Sequence, residues 1–368
     1  MKAKILTALL VLIMAVMTGG LTGCISGGKQ FAYAAGPGTN EVFQFRIESN
    51  GGLTALNPGN ASAGSSPVSV VLQPAGDFAY VANFAGNNVT LLNVNRGNGQ
   101  LFVPTSSNPI PPPSPSNVFN TGTGPISMAP SLANPFLFVA NQGSVDISAF
   151  TIDPKNGNLG AVPGSPFVAG VSPNSMAISP KGNVLYVANA GLSAINALTI
   201  DASGKLSAPS LVASGGMTPA FLLVEPRGKF LYVADSAGGA VQGFSIGSNG
   251  SLTKINGSPF AAGLGTSGLA TDPQGGLLFA ANTGANTVSA FVIDANTGAL
   301  GPVSGSPFPS LGRGPSFVAA SSNFVYVADQ ITNDIAVFAI GRNGALAPVT
   351  GSPFSVAVSP RWITLIRE

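Results

Sequence analysis

The stretch Phe230-Leu231-Tyr232-Val233-Ala234-Asp235 decides the fold, because the chain contains seven versions of this short phrase. Each version has a Tyr or Phe followed by two small or β-branched residues, and six of the seven end in Asn or Asp. The aromatic positions are Tyr33, Tyr80, Phe138, Tyr186, Tyr232, Phe279 and Tyr326. Successive positions are 47, 58, 48, 46, 47 and 47 residues apart. This period predicts one closed array of similar units rather than several separate domains.

The repeat at 218–260 shows the pattern inside each unit. A Pro-led apolar run at 219–224 precedes the phrase at 230–235, and further β-rich runs follow at 240–246 and 251–255. Clusters of Gly, Pro, Asn and Ser separate the runs, as is typical of antiparallel strands joined by tight turns. The sequence therefore predicts an all-β, seven-bladed β-propeller with four-stranded antiparallel blades.

The two ends of the chain are expected to share one blade. The first unit, from Phe31 to Leu56, lacks a Pro-led inner strand, whereas the C-terminal stretch Ser359–Ile366 begins like an inner strand and then stops. If the C-terminal strand completes the first blade, the ring closes and no strand edge is left exposed.

Composition agrees with one large folded domain. The 368 residues include 48 Gly and 30 Pro, yet 45% are hydrophobic and only 8% are charged, which predicts many turns and a large core. Lys2 and Lys4 lie in an N-terminal segment that we expect to be removed. Without them the 15 basic residues become 13, equal to the 13 acidic ones. A neutral chain with no basic run is not expected to bind nucleic acid.

The N-terminus has the features of an export signal. A basic start and an apolar run at 5–17 precede Leu21-Thr22-Gly23-Cys24, which resembles the bacterial lipobox, in which a diacylglycerol is attached to the cysteine. We therefore expect a signal peptide at 1–23, a lipidated tether at 24–30 and a propeller at 31–368. The alternative is an unmodified buried Cys24. Ile25 stands where an Asp would retain a lipoprotein in the inner membrane, so the resemblance implies an outer-membrane anchor.

The seven phrases also resemble those of the lactonase-type propellers, which include 6-phosphogluconolactonases and a fungal carboxymuconate cycloisomerising enzyme, and the YVTN repeats of envelope proteins. This resemblance implies catalytic His, Arg and Glu residues near the central channel, often in a Pro-Arg-His phrase that opens an inner strand. The chain contains no histidine, and only Pro360-Arg361-Trp362 keeps the arginine. Arg361 and Asn174, both at inner-strand openings, are therefore the candidate ligand-binding residues.

Glu225 and Asp272 are the remaining catalytic candidates, because each stands just before the Pro that ends an inner strand. A carboxylate there could activate water, or it could simply cap the following turn, which is the favoured interpretation. No His/Cys cluster exists for a metal, and the Asp-containing hairpins lack full calcium-loop spacing, so no metal or cofactor is expected. The proline-rich insertion at 108–115 is either a surface loop or a peptide ligand for a partner.

These observations favour a non-catalytic binding or scaffold module held in the cell envelope. Its expected partners are the membrane, through the lipid, and a protein, glycan or small molecule at the channel mouth. The alternative is a lactone hydrolase that acts on a sugar lactone, with Arg361 as the anion contact.

Overall fold

The computed structural model describes residues 29–104, 117–357 and 359–367, and it confirms the predicted seven-bladed propeller. The predicted signal peptide, Cys24 and the insertion at 108–115 lie outside these residues. Each blade is an antiparallel sheet in which the strands follow one another outward from the ring axis. Within the described part of the chain, no helix has the length and apolar character needed to cross a membrane.

The strands are numbered in chain order. Blade 1 contains β1 (Gln30–Gly36), β2 (Glu41–Ile47), β3 (Leu53–Ser62) and the C-terminal β33 (Trp362–Arg367). Blade 2 contains β4 (Pro67–Leu72), β5 (Phe78–Asn83), β6 (Asn88–Val94), β7 (Leu101–Phe102) and β8 (Val118–Asn120). Blade 3 contains β9 (Pro125–Pro130), β10 (Phe136–Asn141), β11 (Asp146–Ile152), β12 (Leu159–Ala161) and β13 (Phe167–Val168). Blade 4 contains β14 (Pro173–Ile178), β15 (Val184–Asn189), a 3-10 turn (Ala190–Leu192), β16 (Ala194–Thr199) and β17 (Ser210–Ser214). Blade 5 contains β18 (Pro219–Val224), β19 (Phe230–Asp235), β20 (Ala240–Ile246), β21 (Leu252–Lys254) and β22 (Phe260–Ala261). Blade 6 contains β23 (Thr266–Thr271), β24 (Leu277–Asn282), β25 (Thr287–Ile293), β26 (Leu300–Pro302) and β27 (Phe308–Pro309). Blade 7 contains β28 (Pro315–Ala320), β29 (Phe324–Asp329), β30 (Asp334–Ile340), β31 (Leu346–Pro348) and β32 (Phe354–Ser355).

The outer strand of most blades is divided into two short pieces. In blade 6, β26 and β27 both pair with β25, and Ser306 between them accepts a hydrogen bond from the backbone N–H of Ala290 at 2.9 Å. Blades 3, 5, 6 and 7 carry the same Gly-Ser-Pro-Phe phrase at this interruption. Blade 4 lacks the phrase and has the single outer strand β17. The Gly-Ser-Pro-Phe phrase therefore marks where an outer strand leaves and rejoins its neighbour.

The repeated tyrosine ties blades 1, 2, 4 and 5 each to the blade that follows it. The buried Tyr33 hydroxyl of blade 1 donates to the carbonyl of Gly99 in blade 2 at 2.6 Å, and Tyr232 of blade 5 makes the same bond to Gly298 of blade 6 at 2.8 Å. Gly99 has a left-handed backbone (φ 74°), and a Cβ there would lie 2.2 Å from the Phe31 ring. Glycine is needed at this position because both the backbone conformation and the close approach exclude a side chain.

The predicted closure through the C-terminus is confirmed. β33 pairs with β1 from Ala35 opposite Trp362 to Gln30 opposite Arg367, and Thr364 donates to the carbonyl of Val70 in blade 2 at 2.6 Å. We call this pairing of β33 with β1 the seam. It joins the two ends of the chain within blade 1, and it also contacts the neighbouring blade.

The ring has two ends with different roles. All inner strands begin at one end, which we call the entrance end; it also carries the loops between blades and those joining the second and third strands. The other end, which we call the turn end, carries the loops from first to second strand and from third to fourth. A six-residue inner strand spans about 20 Å between them.

Candidate functional site

The inner-strand openings form a ring at the entrance end. In blades 2 to 7 the pairing between the first and second strands shifts by one residue at the opening; in blade 5, Pro219 is opposite Asp235 and Phe221 is opposite Ala234. The extra residue, Ala220 in blade 5, is a β-bulge, which bends the strand and redirects its side chain. The second position of each opening is therefore placed at the mouth of the ring.

Polar residues at this second position link one blade to the next. Ser316 of blade 7 donates to the carbonyl of Pro360 at 3.0 Å, and Ser267 of blade 6 makes the equivalent contact with Pro315 at 3.3 Å. Asn174 of blade 4 contacts the carbonyl of Pro219 at 3.5 Å, while its own carbonyl oxygen accepts from Gln142 at 2.5 Å. The Asn174 amide is thus engaged in holding neighbouring blades.

Arg361 occupies the corresponding position in blade 1 and differs from the others. Its backbone N–H donates to the carbonyl of Ala35 at 3.0 Å, which fixes the chain at the start of the seam. Its side chain is exposed, and among the described residues it has neither a hydrogen bond nor an ion pair. The guanidinium is therefore available to an external anion.

Aromatic side chains at the third position fill the centre of the ring. Phe221, Phe317 and Trp362 come from blades 5, 7 and 1, and their ring centroids are 5.3 Å apart for the two Phe, 5.8 Å for Phe221–Trp362 and 4.3 Å for the stacked Phe317–Trp362 pair. Blades 5 and 1 are not neighbours, so these rings meet across the axis. Gly268 of blade 6 leaves room for them, because a Cβ there would lie 2.9 Å from the Cα of Phe317. The sequence prediction did not include this aromatic plug.

Glu225 and Asp272 lie at the turn end, away from Arg361 and Asn174. The buried Glu225 carboxylate accepts the backbone N–H groups of Arg227 at 2.8 Å and Lys229 at 2.7 Å, and it pairs with the Arg227 side chain at 3.2 Å. The Asp272 carboxylate accepts the N–H of Leu277 at 2.6 Å. Both carboxylates thus organise the turns after their inner strands. The structure brings Arg361 and Asn174 to one end of the ring and places the two carboxylates at the other.

A buried carboxyl pair in blade 7 was also absent from the sequence prediction. Asp329 and Asp334 face each other across β29 and β30, and Asp329 accepts a hydrogen bond from the Ser310 hydroxyl at 2.5 Å. Burial, with a smaller contribution from Asp334, raises the pKa of Asp329 to about 8. In blade 3 the equivalent residue is Asn141, whose amide donates to Asp146 at 2.7 Å. Both carboxyl groups of the blade 7 pair are buried, so they are not exposed to a ligand in solution.

Among the described residues, metal-ligating side chains are dispersed, and two surface grooves lie away from the entrance. No group of three or more Cys, Asp or Glu side chains among the described residues is placed to hold a metal ion. Two surface grooves of about 300 and 250 Å³ lie elsewhere. The first is between blades 4 and 5, beside Phe244 and Lys254, and the second is between blades 1 and 2, beside Lys29 and Arg46.

Comparison with known proteins agrees with this architecture. The model of the lactonase, seven-bladed β-propeller family matches residues 24–208 and 190–316. A candidate 6-phosphogluconolactonase from Bacteroides fragilis superposes with a TM-score of 0.75 at 20% identity, over 94% of this chain and 99% of that one. The periplasmic gluconolactonase of Pseudomonas aeruginosa superposes with a TM-score of 0.74 at 20% identity, over 92% and 99%. A search of curated proteins finds no match. The family match covers more than half of the sequence, and the chain therefore belongs to the lactonase family of seven-bladed β-propellers.

Proposed function

We propose that this protein is a non-catalytic binding or scaffold module, exported and anchored in the cell envelope through a lipid on Cys24. The observation that carries the proposal is the aromatic plug, because Phe221, Phe317 and Trp362 fill the centre of the ring, near which the family resemblance implies the catalytic residues. Partners would instead bind on the entrance end, above the plug.

The residues near the plug lack the groups that lactone hydrolysis requires. A base must lie within hydrogen-bonding reach of the attacking water. Arg361 supplies an anion contact at the entrance, but Glu225 and Asp272 are at the turn end and are bonded to turn N–H groups. The carboxylates at the entrance end belong to second and third strands and are buried or half-buried, among them Asp235 and Asp329.

Hydrolysis of a sugar lactone is the alternative, and membership of the lactonase family favours it. We expect the purified domain to hydrolyse 6-phosphogluconolactone and glucono-lactone no faster than buffer, because none of the described carboxylates at the entrance end is exposed. Proton release at constant pH would measure the rate. Arg361→Ala is the matched variant, since the exposed side chain can be removed without disturbing the core. Turnover that disappears in this variant while the thermal transition stays unchanged would establish the hydrolase instead.

Anchoring is tested separately. We expect the intact chain, expressed in a bacterium that processes lipoproteins, to incorporate labelled palmitate and to fractionate with membranes. Cys24→Ser should abolish the label and leave a precursor that retains residues 1–23, because this is the only cysteine in the chain. Equal labelling of Cys24→Ser would show that the N-terminus is not a lipobox. Separation of inner and outer membranes on a density gradient would then test the outer-membrane assignment made from Ile25.

A further inference from the structure

An arc of exposed apolar side chains follows the entrance end over four consecutive blades. Its members lie in the loops between blades and in the loops joining second and third strands, and they are 42 to 68% exposed: Val171, Leu192, Met217, Leu264, Leu311 and Ile331. Large apolar side chains gathered on one surface usually mark an interaction site. We call this surface the apolar arc.

The loops hold these side chains in place. Positions facing the arc are glycines, and a Cβ at Gly284 would lie 3.0 Å from Leu264, while one at Gly314 would lie 2.7 Å from Ile331. Leu311 adopts a left-handed backbone conformation (φ 72°), which is unfavourable for a bulky residue. Burial of apolar surface within the protein does not account for this conformation, because the Leu311 side chain remains exposed.

The charge at this end indicates what the arc would bind. The described residues of the entrance-end loops include two charged ones, Arg313 and Arg361, and both are exposed at the blade 7 and blade 1 end of the arc. The strand-end carboxylates nearby are half-buried or buried; Glu41, for example, is bonded to Asn60 at 2.6 Å. Exposed arginines favour planar carboxylate groups on a partner.

With a lipid on Cys24, as proposed above, the position of the N-terminus argues against the protein's own membrane as the occupant. Strand β1 begins at Gln30, at the turn end, where Lys29 bonds to the carbonyl of Gly97. Six residues from Cys24 to Gln30 reach at most about 20 Å. A lipid on Cys24 would therefore keep the turn end against the bilayer and direct the apolar arc away from it.

We propose that the apolar arc docks a protein segment that carries apolar side chains and at least one carboxylate, with Arg313 and Arg361 pairing to the carboxylate. This proposal rests on the proposed function and specifies its partner. The segment would follow the arc across blades 4 to 7 and place its acidic group near blade 1.

The probe is a displayed library of random twelve-residue peptides, selected on the soluble domain that lacks residues 1–24. We expect the enriched peptides to combine Leu, Ile or aromatic residues with Asp or Glu. Binding of a synthetic enriched peptide should weaken at least about tenfold in Met217→Ser/Leu264→Ser and in Arg313→Ala/Arg361→Ala. It should also weaken when its Asp or Glu is replaced by Asn or Gln. Trp362 is the only tryptophan and lies next to Arg361, so its fluorescence can report occupation of this end.

Leu132→Ser/Leu211→Ser is the matched control, because these leucines are 85% and 72% exposed but lie outside the arc. Peptides that bind this control and the arc variants equally would overturn the proposal, as would a library that yields no acidic, apolar binders. Dimerisation of the soluble domain that is lost in Met217→Ser/Leu264→Ser would assign the arc to a second copy instead. Arc-dependent flotation with vesicles of phosphatidylglycerol and phosphatidylethanolamine would assign it to a lipid surface. The lactone assay on the same domain reports separately on the proposed function.

Discussion

Deletion of Pro360–Glu368 should abolish the cooperative unfolding transition of the domain. The deletion removes β33, and with it the stacked Trp362 and the buried Ile363, which is 2% exposed. Truncation of one buried Ile costs about 2–5 kcal/mol, and loss of the half-buried, stacked Trp362 and of the β1–β33 ladder adds to this cost. The combined loss is comparable with the whole stability of a typical domain, about 5–15 kcal/mol. Calorimetry and size-exclusion chromatography would measure the effect.

Two comparisons make this test specific to the seam. A chain that begins at Gln30 should unfold like the parent, because it removes only residues that precede β1. A synthetic peptide of residues 359–368, added to the truncated chain, should restore the transition by pairing with β1. The same peptide with Ser at the positions of Trp362 and Ile363 should not. A truncated chain that remains soluble, monomeric and as heat-resistant as the parent would show that β33 does not close the ring.

Asp329→Asn should stabilise the domain, and the gain should grow with pH. The Asp329 pKa is raised from 3.8 to about 8, so between these values the folded state holds a proton that the unfolded state releases. Stability from this group is therefore highest below pH 4, falls as pH rises and reaches a constant low level above pH 8. The substitution removes this loss and supplies an amide that can donate to Asp334, as Asn141 does to Asp146 in blade 3. We expect a gain of about 2–4 kcal/mol at pH 8.

Asp235→Asn is the matched control and should have the opposite sign. Asp235 occupies the same repeat position, but its carboxylate accepts the backbone N–H groups of Met217 and Thr218 at 3.0 Å and of Gly238 at 3.1 Å. An amide has one acceptor oxygen, so the change should leave donors unpaired and cost about 1–3 kcal/mol. Urea unfolding of both variants from pH 5 to 9 would give the two free energies. A loss of stability in Asp329→Asn at pH 8 would disprove the interpretation that burial raises the pKa of Asp329.

The fold was predictable because every blade repeats the same turn and strand residues. Pro at 219 and at 360 marks the start of an inner strand, and the lack of such a residue before Phe31 indicates the shared blade. The division of the outer strands was not predicted. In blade 6 this division involves the hydrogen bond that the Ser306 hydroxyl accepts from the backbone N–H of Ala290, and strand propensity does not describe such a bond.

The candidate site was less predictable because its geometry comes from ring closure. Phe221, Phe317 and Trp362 are far apart in sequence, and only the circular arrangement brings them together across the axis. A comparison of third positions among the openings contains the signal, since Ser or Gly stands in the other four. Asn174 was predicted as a ligand contact, but the residues that engage it belong to the two adjacent blades.

The Asp329–Asp334 pair shows a second reason why individual sites were harder to predict from the sequence than the fold. The two residues are five positions apart, and the sequence does not reveal that they face each other unless the hairpin register is known. Comparison of the copies would have revealed the exception, because blade 3 has Asn and Asp at these positions while blade 7 has two Asp. Differences between repeats therefore carried more information about individual sites than the shared phrase did.

The shared blade also determines how the ring responds to mechanical force. A pull on the N-terminal segment reaches β1 at Gln30, and β1 pairs with β2 on one side through seven residues and with β33 on the other through six. Hydrogen bonds between antiparallel strands are perpendicular to the strand direction, so a force along β1 shears all of them together instead of opening them one at a time. The chain thus enters the ring through a strand clamped on both edges, and a load applied there must break two ladders at once before the first blade opens.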